Sequence, residues 1–242
     1  MKILIFDHSE ALAKQSAALV QACVAQKPNA VLGFATGSTP VETYQQLIKL
    51  HQAGQLDFSK VTTFNLDEYY GLPADNDQSY SYFMRVNLFD HINIPAGSTN
   101  LLSGIAPDPK AECERYDQLI ESHGGIDLQI VGIGKNGHIA FNEPSDEFLM
   151  HSHLVNLTEN TIQANSRFFE SPDQVPTQAL TMGSGQIFKA RQILMLATGE
   201  GKAQAIHDTL HGPVTPRCPS SILQLHPDTV ILLDRAAASM LD

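Results

Sequence analysis

The chain has no tryptophan, and its three cysteines, Cys23, Cys113 and Cys218, are an odd number with no C-x-x-C pair. This argues against a disulfide framework and fits a reducing cytoplasm. Basic residues are scarce: 15 Lys and Arg stand against 26 Asp and Glu, a formal charge of -11 over 242 residues. A field of that sign repels nucleic acid and anionic membranes, so neither is an expected partner. No apolar run approaches the roughly 20 residues of a membrane span. The opening MKILIFDHSE has too short an apolar run for a signal peptide and turns acidic at once. A cytoplasmic protein is expected. Three familiar signatures are missing as well. Without G-K-[ST] there is no P-loop, without G-x-S-x-G no hydrolase elbow, and without H-E-x-x-H no zincin site.

What is present is an alternation of short apolar runs and helix-like stretches. KILIF (2–6), VLGF (31–34), VTTFN (61–65), DLQIVGI (127–133), QILMLAT (192–198) and TVILLD (229–234) read as strands. Helices are expected after Ser9, taken as an N-cap, and in VETYQQLIKLH, PKAECERYDQLIESHGG and GEGKAQAIHDTLH. Such alternation predicts a single α/β domain over 1–242, a Rossmann-like three-layer sandwich with a mostly parallel sheet and helices on both faces. The polar stretch 145–181 is the least regular and reads either as a lid or as a plain surface excursion.

Ligands of open parallel sheets sit beyond the carboxyl ends of the strands. Three loops fall there. ATGSTP (35–40) offers Gly37, Ser38 and Thr39, with Pro40 suited to a first helical turn. It is either an anion-binding helix start or an ordinary capped turn. TFNLDEYYGL (63–72) sets Asp67 beside Glu68. Successive residues of an extended chain point opposite ways, so one of the two is expected to face the cleft. That carboxylate is a candidate general base, the alternative being a pair of solvated acids.

The third loop, GIGKNGHIAFNEP, spells G-x-G-x-x-G with Gly132, Gly134 and Gly137. A dinucleotide site needs a long helix directly after the last glycine. Here Pro144 interrupts after HIAFNE, and the acid expected about 20 residues on has no following strand to stand on. The cofactor reading is rejected, and the glycines are read as close-approach positions for a small ligand. Asn136, His138, Asn142 and Glu143 remain as polar groups. An imidazole beside a carboxylate can shuttle protons near neutral pH, or it can be a structural histidine. The spacing of His138 and Glu143 matches no metal motif.

In combination, the TGSTP, TFNLDEYYGL, GIGKNGHIAFNEP, ANSRFF and SSILQLHP motifs resemble the glucosamine-6-phosphate deaminases over about residues 30–235. These form part of the glucosamine/galactosamine-6-phosphate isomerase and 6-phosphogluconolactonase family. The resemblance implies an enzyme converting glucosamine 6-phosphate and water to fructose 6-phosphate and ammonia, in amino sugar catabolism. It implies Asp67 as the enolisation base, His138 as the ring-opening acid/base, and Glu143 as the carboxylate orienting it. Asn136 stands where some members carry Asp. The phosphate would be held by Gly37, Ser38, Thr39, Arg167 and Lys202. The resemblance calls for no metal and no cofactor. Larger members bind an allosteric sugar phosphate shortly after FNEP. In this chain Asp146, Glu147 and Val155 suit no phosphate there, so an unregulated monomer is expected. Rival expectations are a galactosamine-6-phosphate deaminase, a 6-phosphogluconolactonase and a non-catalytic sugar-phosphate sensor.

Overall fold

The computed structural model describes residues 1–159, 162, 163, 169, 171 and 174–241. The strands are β1 (Lys2–Phe6), β2 (Val31–Phe34), β3 (Thr62–Asn65), β4 (Asp67–Tyr70), β5 (Thr99–Asn100), β6 (Leu128–Val131), β7 (His153–Asn156), β8 (Gln178–Thr181), β9 (Gln192–Ala197) and β10 (Thr229–Asp234). Between them lie α1 (Ser9–Gln26), α2 (Ser38–Gln52), α3 (Tyr80–Asn87), α4 (Pro109–Ser122), α5 (Ser184–Phe188) and α6 (Ala203–His211).

Seven strands form one all-parallel sheet in the order β1-β10-β9-β6-β2-β3-β5. Parallel neighbours require crossovers, and the helices supply them, wrapping the sheet in a Rossmann-like three-layer sandwich. The central strands β2 and β6 are buried on both faces, as their apolar sequences require. Leu32, Phe34, Ile130, Leu194 and Leu232 are fully excluded from water and form the centre of the core. Gly33 is there for space. A Cβ on it would stand 1.9 Å from Oε1 of Gln129, which is buried in the adjacent strand.

Two local expectations are corrected. Ser9 is not the cap of α1: His8 holds that position, and no side chain caps the helix. The Ser9 hydroxyl instead donates to Glu42 Oε1 on α2 at 3.0 Å, so it ties two helices together. The stretch 145–181 is also less irregular than its composition suggests. It contributes β7 and β8, which join β4 in a separate antiparallel sheet of order β4-β8-β7. Only Leu66 separates β3 of the large sheet from β4 of the small one.

The α4 terminus follows its sequence. Gly124 and Gly125 both take positive φ, +81° and +82°, and their N–H groups close the last turn onto Glu121 and Ile120 carbonyls.

Candidate active site

Strands β9, β6, β2 and β3 are consecutive in the sheet. The loops leaving their carboxyl ends therefore meet. The first starts α2. Gly37 takes φ +101°, a conformation that disfavours any side chain, and becomes the N-cap. Ser38 and Thr39 open the 15-residue helix with no side-chain cap, and Pro40 lies in its first turn as expected. The N–H groups and dipole of such a helix start suit an anion.

Lys202 reaches the same edge from the β9 loop, at the N-cap of α6. Its Nζ donates to the Ile133 carbonyl at 2.5 Å. Burial lowers its pKa, and the neighbouring Lys135 lowers it further. A dianionic phosphate would relieve both effects. Arg167 lies outside the described residues.

The acid pair separates as period-two geometry demands. Glu68 turns toward the start of α3. It accepts from the Tyr69 and Tyr80 N–H groups at 2.9 and 2.8 Å, and from the Ser81 N–H and hydroxyl at 2.8 and 3.0 Å. This carboxylate is a structural cap. Burial raises its pKa, and the four donors partly offset that. Its removal would take that partner from two N–H groups at the half-buried start of α3 and from the buried Tyr69 N–H of β4. Glu68→Ala should therefore cost about 3 kcal/mol, seen as a melting temperature lower by roughly 6–12 °C. An unchanged thermal melt would show that water replaces the carboxylate without loss.

Asp67 is 7% exposed and no described group hydrogen-bonds its carboxylate. Burial, and secondly the charge on Glu68, push its pKa up to about 8. A buried carboxyl poised near neutral pH at the mouth of a sheet has the character of a general base.

The loop after β6 holds the imidazole. His138 Nδ1 lies 3.1 Å from Glu143 Oε1, inside ion-pair range but turned off the line of a straight N–H···O bond. Catalytic contacts are often this loose before substrate binds. Asn136 completes a small network. Its Nδ2 donates to Glu143 Oε2 at 2.6 Å, and its Oδ1 accepts the His138 N–H at 3.2 Å. Asn136 thus braces the carboxylate and the backbone of the histidine, rather than the imidazole itself.

The three glycines serve different local needs. At Gly134 a Cβ would stand 2.4 Å from Nδ1 and Cε1 of His138, so its bare face seats the ring. Gly137 has φ +82°, and a Cβ there would strike Cys218 Sγ at 2.6 Å. Gly132 faces open space. None of the three opens a helix, so the rejection of a dinucleotide site holds for the described backbone.

Two groups beside this loop, Thr181 and Tyr80, are visible in no motif, and Asn142, which the motif does offer, has a structural part. Thr181 of β8 is the ladder partner of Asp67, and its hydroxyl accepts the Phe141 N–H at 3.2 Å. Asn142 is buried, and its Nδ2 donates to the carbonyls of Ile139 and Met182 at 2.9 and 2.8 Å. It therefore locks the loop and is not a reacting group. Beside them, the Tyr80 ring lies 4.8 Å from that of Tyr69 and stacks on Phe141 at 6.1 Å, an aromatic wall beside the histidine loop.

Fold and site together define an α/β protein that combines an anion-binding loop with a buried carboxylate and a histidine–glutamate pair. The chain belongs to the family described as glucosamine-6-phosphate isomerases/6-phosphogluconolactonase, whose model matches residues 7–232. It is 50% identical over all 242 residues to a glucosamine-6-phosphate deaminase of Clostridioides difficile (strain 630), covering 97% of that protein. It is 51% identical to one from Halothermothrix orenii, each chain covered in full. Among solved structures it superposes on a monomeric glucosamine-6-phosphate deaminase with TM-score 0.97 and 45% identity, covering 99% of this chain and 100% of that one. The 6-phosphogluconolactonase of Trypanosoma cruzi shares the fold, with TM-score 0.79 at 19% identity over 99% of this chain and 96% of that one.

Proposed function

We propose that this chain is a glucosamine-6-phosphate deaminase. The observation that carries the reading is the division of labour at 67 and 68: Glu68 is used up on α3, while Asp67 is buried, without a hydrogen-bond partner among the described residues, and raised to about 8. A lactonase has no use for such a base, and neither has a sensor.

In this reading Gly37, Ser38, Thr39, Lys202 and Arg167 hold the phosphate, and the aromatic wall lines the sugar. His138 takes the proton of the anomeric hydroxyl and protonates the ring oxygen, opening the ring, with Glu143 and Asn136 fixing its position. Asp67 then removes the C2 proton of the open aldehyde and returns it at C1. The C2 amine has by then become an imine. Water adds to it, ammonia leaves, and the ketone of fructose 6-phosphate remains. Each step uses a side chain already at the sheet edge. Within the stretch 145–181, His153–Asn156 and Gln178–Thr181 are strands of the small sheet.

The chain is also proposed to act as an unregulated monomer. Asp146 pairs with Arg217, and the Ser145 N–H donates to the Pro216 carbonyl at 3.0 Å, so the segment after the histidine loop is already tied down. Val155 is half-buried against the cluster of Tyr69 and Phe141. Sedimentation at micromolar concentration should give one species of about 26 kDa, with hyperbolic kinetics. Hexamers, or sigmoidal kinetics relieved by a sugar-phosphate effector, would overturn this.

The test of the activity is ammonia release from glucosamine 6-phosphate beside galactosamine 6-phosphate, with lactone hydrolysis measured in parallel. Turnover of the gluco substrate above the other two is expected. Turnover of the lactone alone would sink the deaminase reading, and a preference for the galacto epimer would shift it to the rival amino sugar.

A further inference from the structure

Helix α6 carries two histidines that the proposed chemistry does not use. His207 and His211 are four residues apart, so they lie on the same face of the helix. That face is away from the core, which receives Ala203, Ala205, Ile206 and Thr209. The two rings approach to 5.3 Å between centroids, at 44°. A divalent ion bound through one nitrogen of each ring would sit about 3.2 Å from each centroid. Two such rings at a tetrahedral angle stand about 5.2 Å apart, close to the observed separation.

A second observation concerns the ring nitrogens. His207 Nδ1 lies 3.2 Å from Asp208 Oδ1. A carboxylate only accepts, so Nδ1 carries the proton and Nε2 is left with a free lone pair. A histidine whose far nitrogen is held by a carboxylate is the usual arrangement of a metal ligand, because the carboxylate fixes the tautomer and strengthens the donor. Asp208 is itself held, accepting from Gln204 Nε2 at 2.8 Å. Both rings also stand near the helix C-terminus, whose partial negative charge favours a cation.

We propose that His207 and His211 form a surface site for one first-row divalent transition ion such as Zn2+ or Ni2+, oriented by Asp208 and completed by water. Imidazole donors select these ions over Mg2+ and Ca2+. Among the described residues no cluster of three or more His, Cys, Asp or Glu is placed to share an ion, so this is a two-ligand site that exchanges its ion readily. Binding to the folded chain alone stabilises it by mass action. The ion would pin the last turn of the helix whose first residue follows Lys202.

The experiment is calorimetric titration of ZnCl2 into the untagged full chain, with MgCl2 as the comparison. One equivalent of Zn2+ and no Mg2+ should bind. His207→Gln and His211→Gln should each remove that equivalent without altering the thermal melt in the presence of chelator. Asp208→Asn should keep the stoichiometry and weaken binding about 10- to 100-fold. If wild type gives no binding heat at submillimolar Zn2+, or the double His→Gln variant keeps the same equivalent, the site does not exist as drawn.

Discussion

Asp67→Asn should lose ammonia release by about two to four orders of magnitude in kcat/KM, the usual contribution of a positioned base, and should at the same time be more stable than wild type above neutral pH. The two effects have one cause. The carboxyl is buried with no hydrogen-bond partner among the described residues, and its pKa is pushed from an ordinary 3.8 up to about 8. A raised acid favours the folded state only while it is protonated. That advantage is complete below pH 3.8 and is lost as pH rises toward about 8, because over this window the folded chain holds a proton that the unfolded chain has released. The slope is about 1.4 kcal/mol per pH unit from this group alone. Asparagine removes it. Thermal melts of both proteins at pH 5 and pH 8 should therefore diverge, with the variant ahead at pH 8. The wild-type rate should show an acid limb close to 8 rather than close to 4. Equal melting differences at both pH values would mean that the carboxyl is solvated in solution and is not a tuned base.

Gly134→Ala should lower kcat about 100-fold while leaving the affinity for inorganic phosphate unchanged. Gly134 does not need positive φ, so alanine carries no backbone strain there. The conflict is with the imidazole. The new methyl would stand 2.4 Å from Nδ1 and Cε1 of His138, where ordinary contact begins at 3.4 Å. The ring must retreat by about 1 Å, and a misplacement of that size at a reacting group costs about 10²-fold. In the proposed reading phosphate is held by the loops after β2 and β9, which the substitution does not touch. Full activity, or a loss of phosphate affinity equal to the loss in kcat, would show that the ring is not seated on Gly134.

Much of this was legible in the sequence. The β-branched runs gave the large sheet nearly strand for strand, because fully buried parallel strands are continuous apolar segments. The alternation rule already set residues 67 and 68 pointing opposite ways, without saying which of them faces the cleft. The missing helix after Gly137 excluded the dinucleotide reading. What stayed hidden is non-local. Glu68 finds its donors at Tyr80 and Ser81, and no spacing rule connects a strand acid with a helix start a dozen residues on. The small sheet pairs β4 (Asp67–Tyr70) with β8 (Gln178–Thr181), far along the chain, and strands of four residues leave little pattern. Ser9 failed as a cap because its hydroxyl has a better partner on another helix.

The single-residue step from β3 to β4 at Leu66 has a consequence for how this protein can change. The phosphate loop and Lys202 hang from the large sheet, whereas Asp67 and the hydroxyl under Phe141 belong to the small one. In the proposed reading, handle and tool are thus mounted on different sheets, whose shortest link along the chain is Leu66. Substitutions that retilt the smaller sheet would then re-aim the base at another carbon or another epimer while the phosphate loop keeps its place.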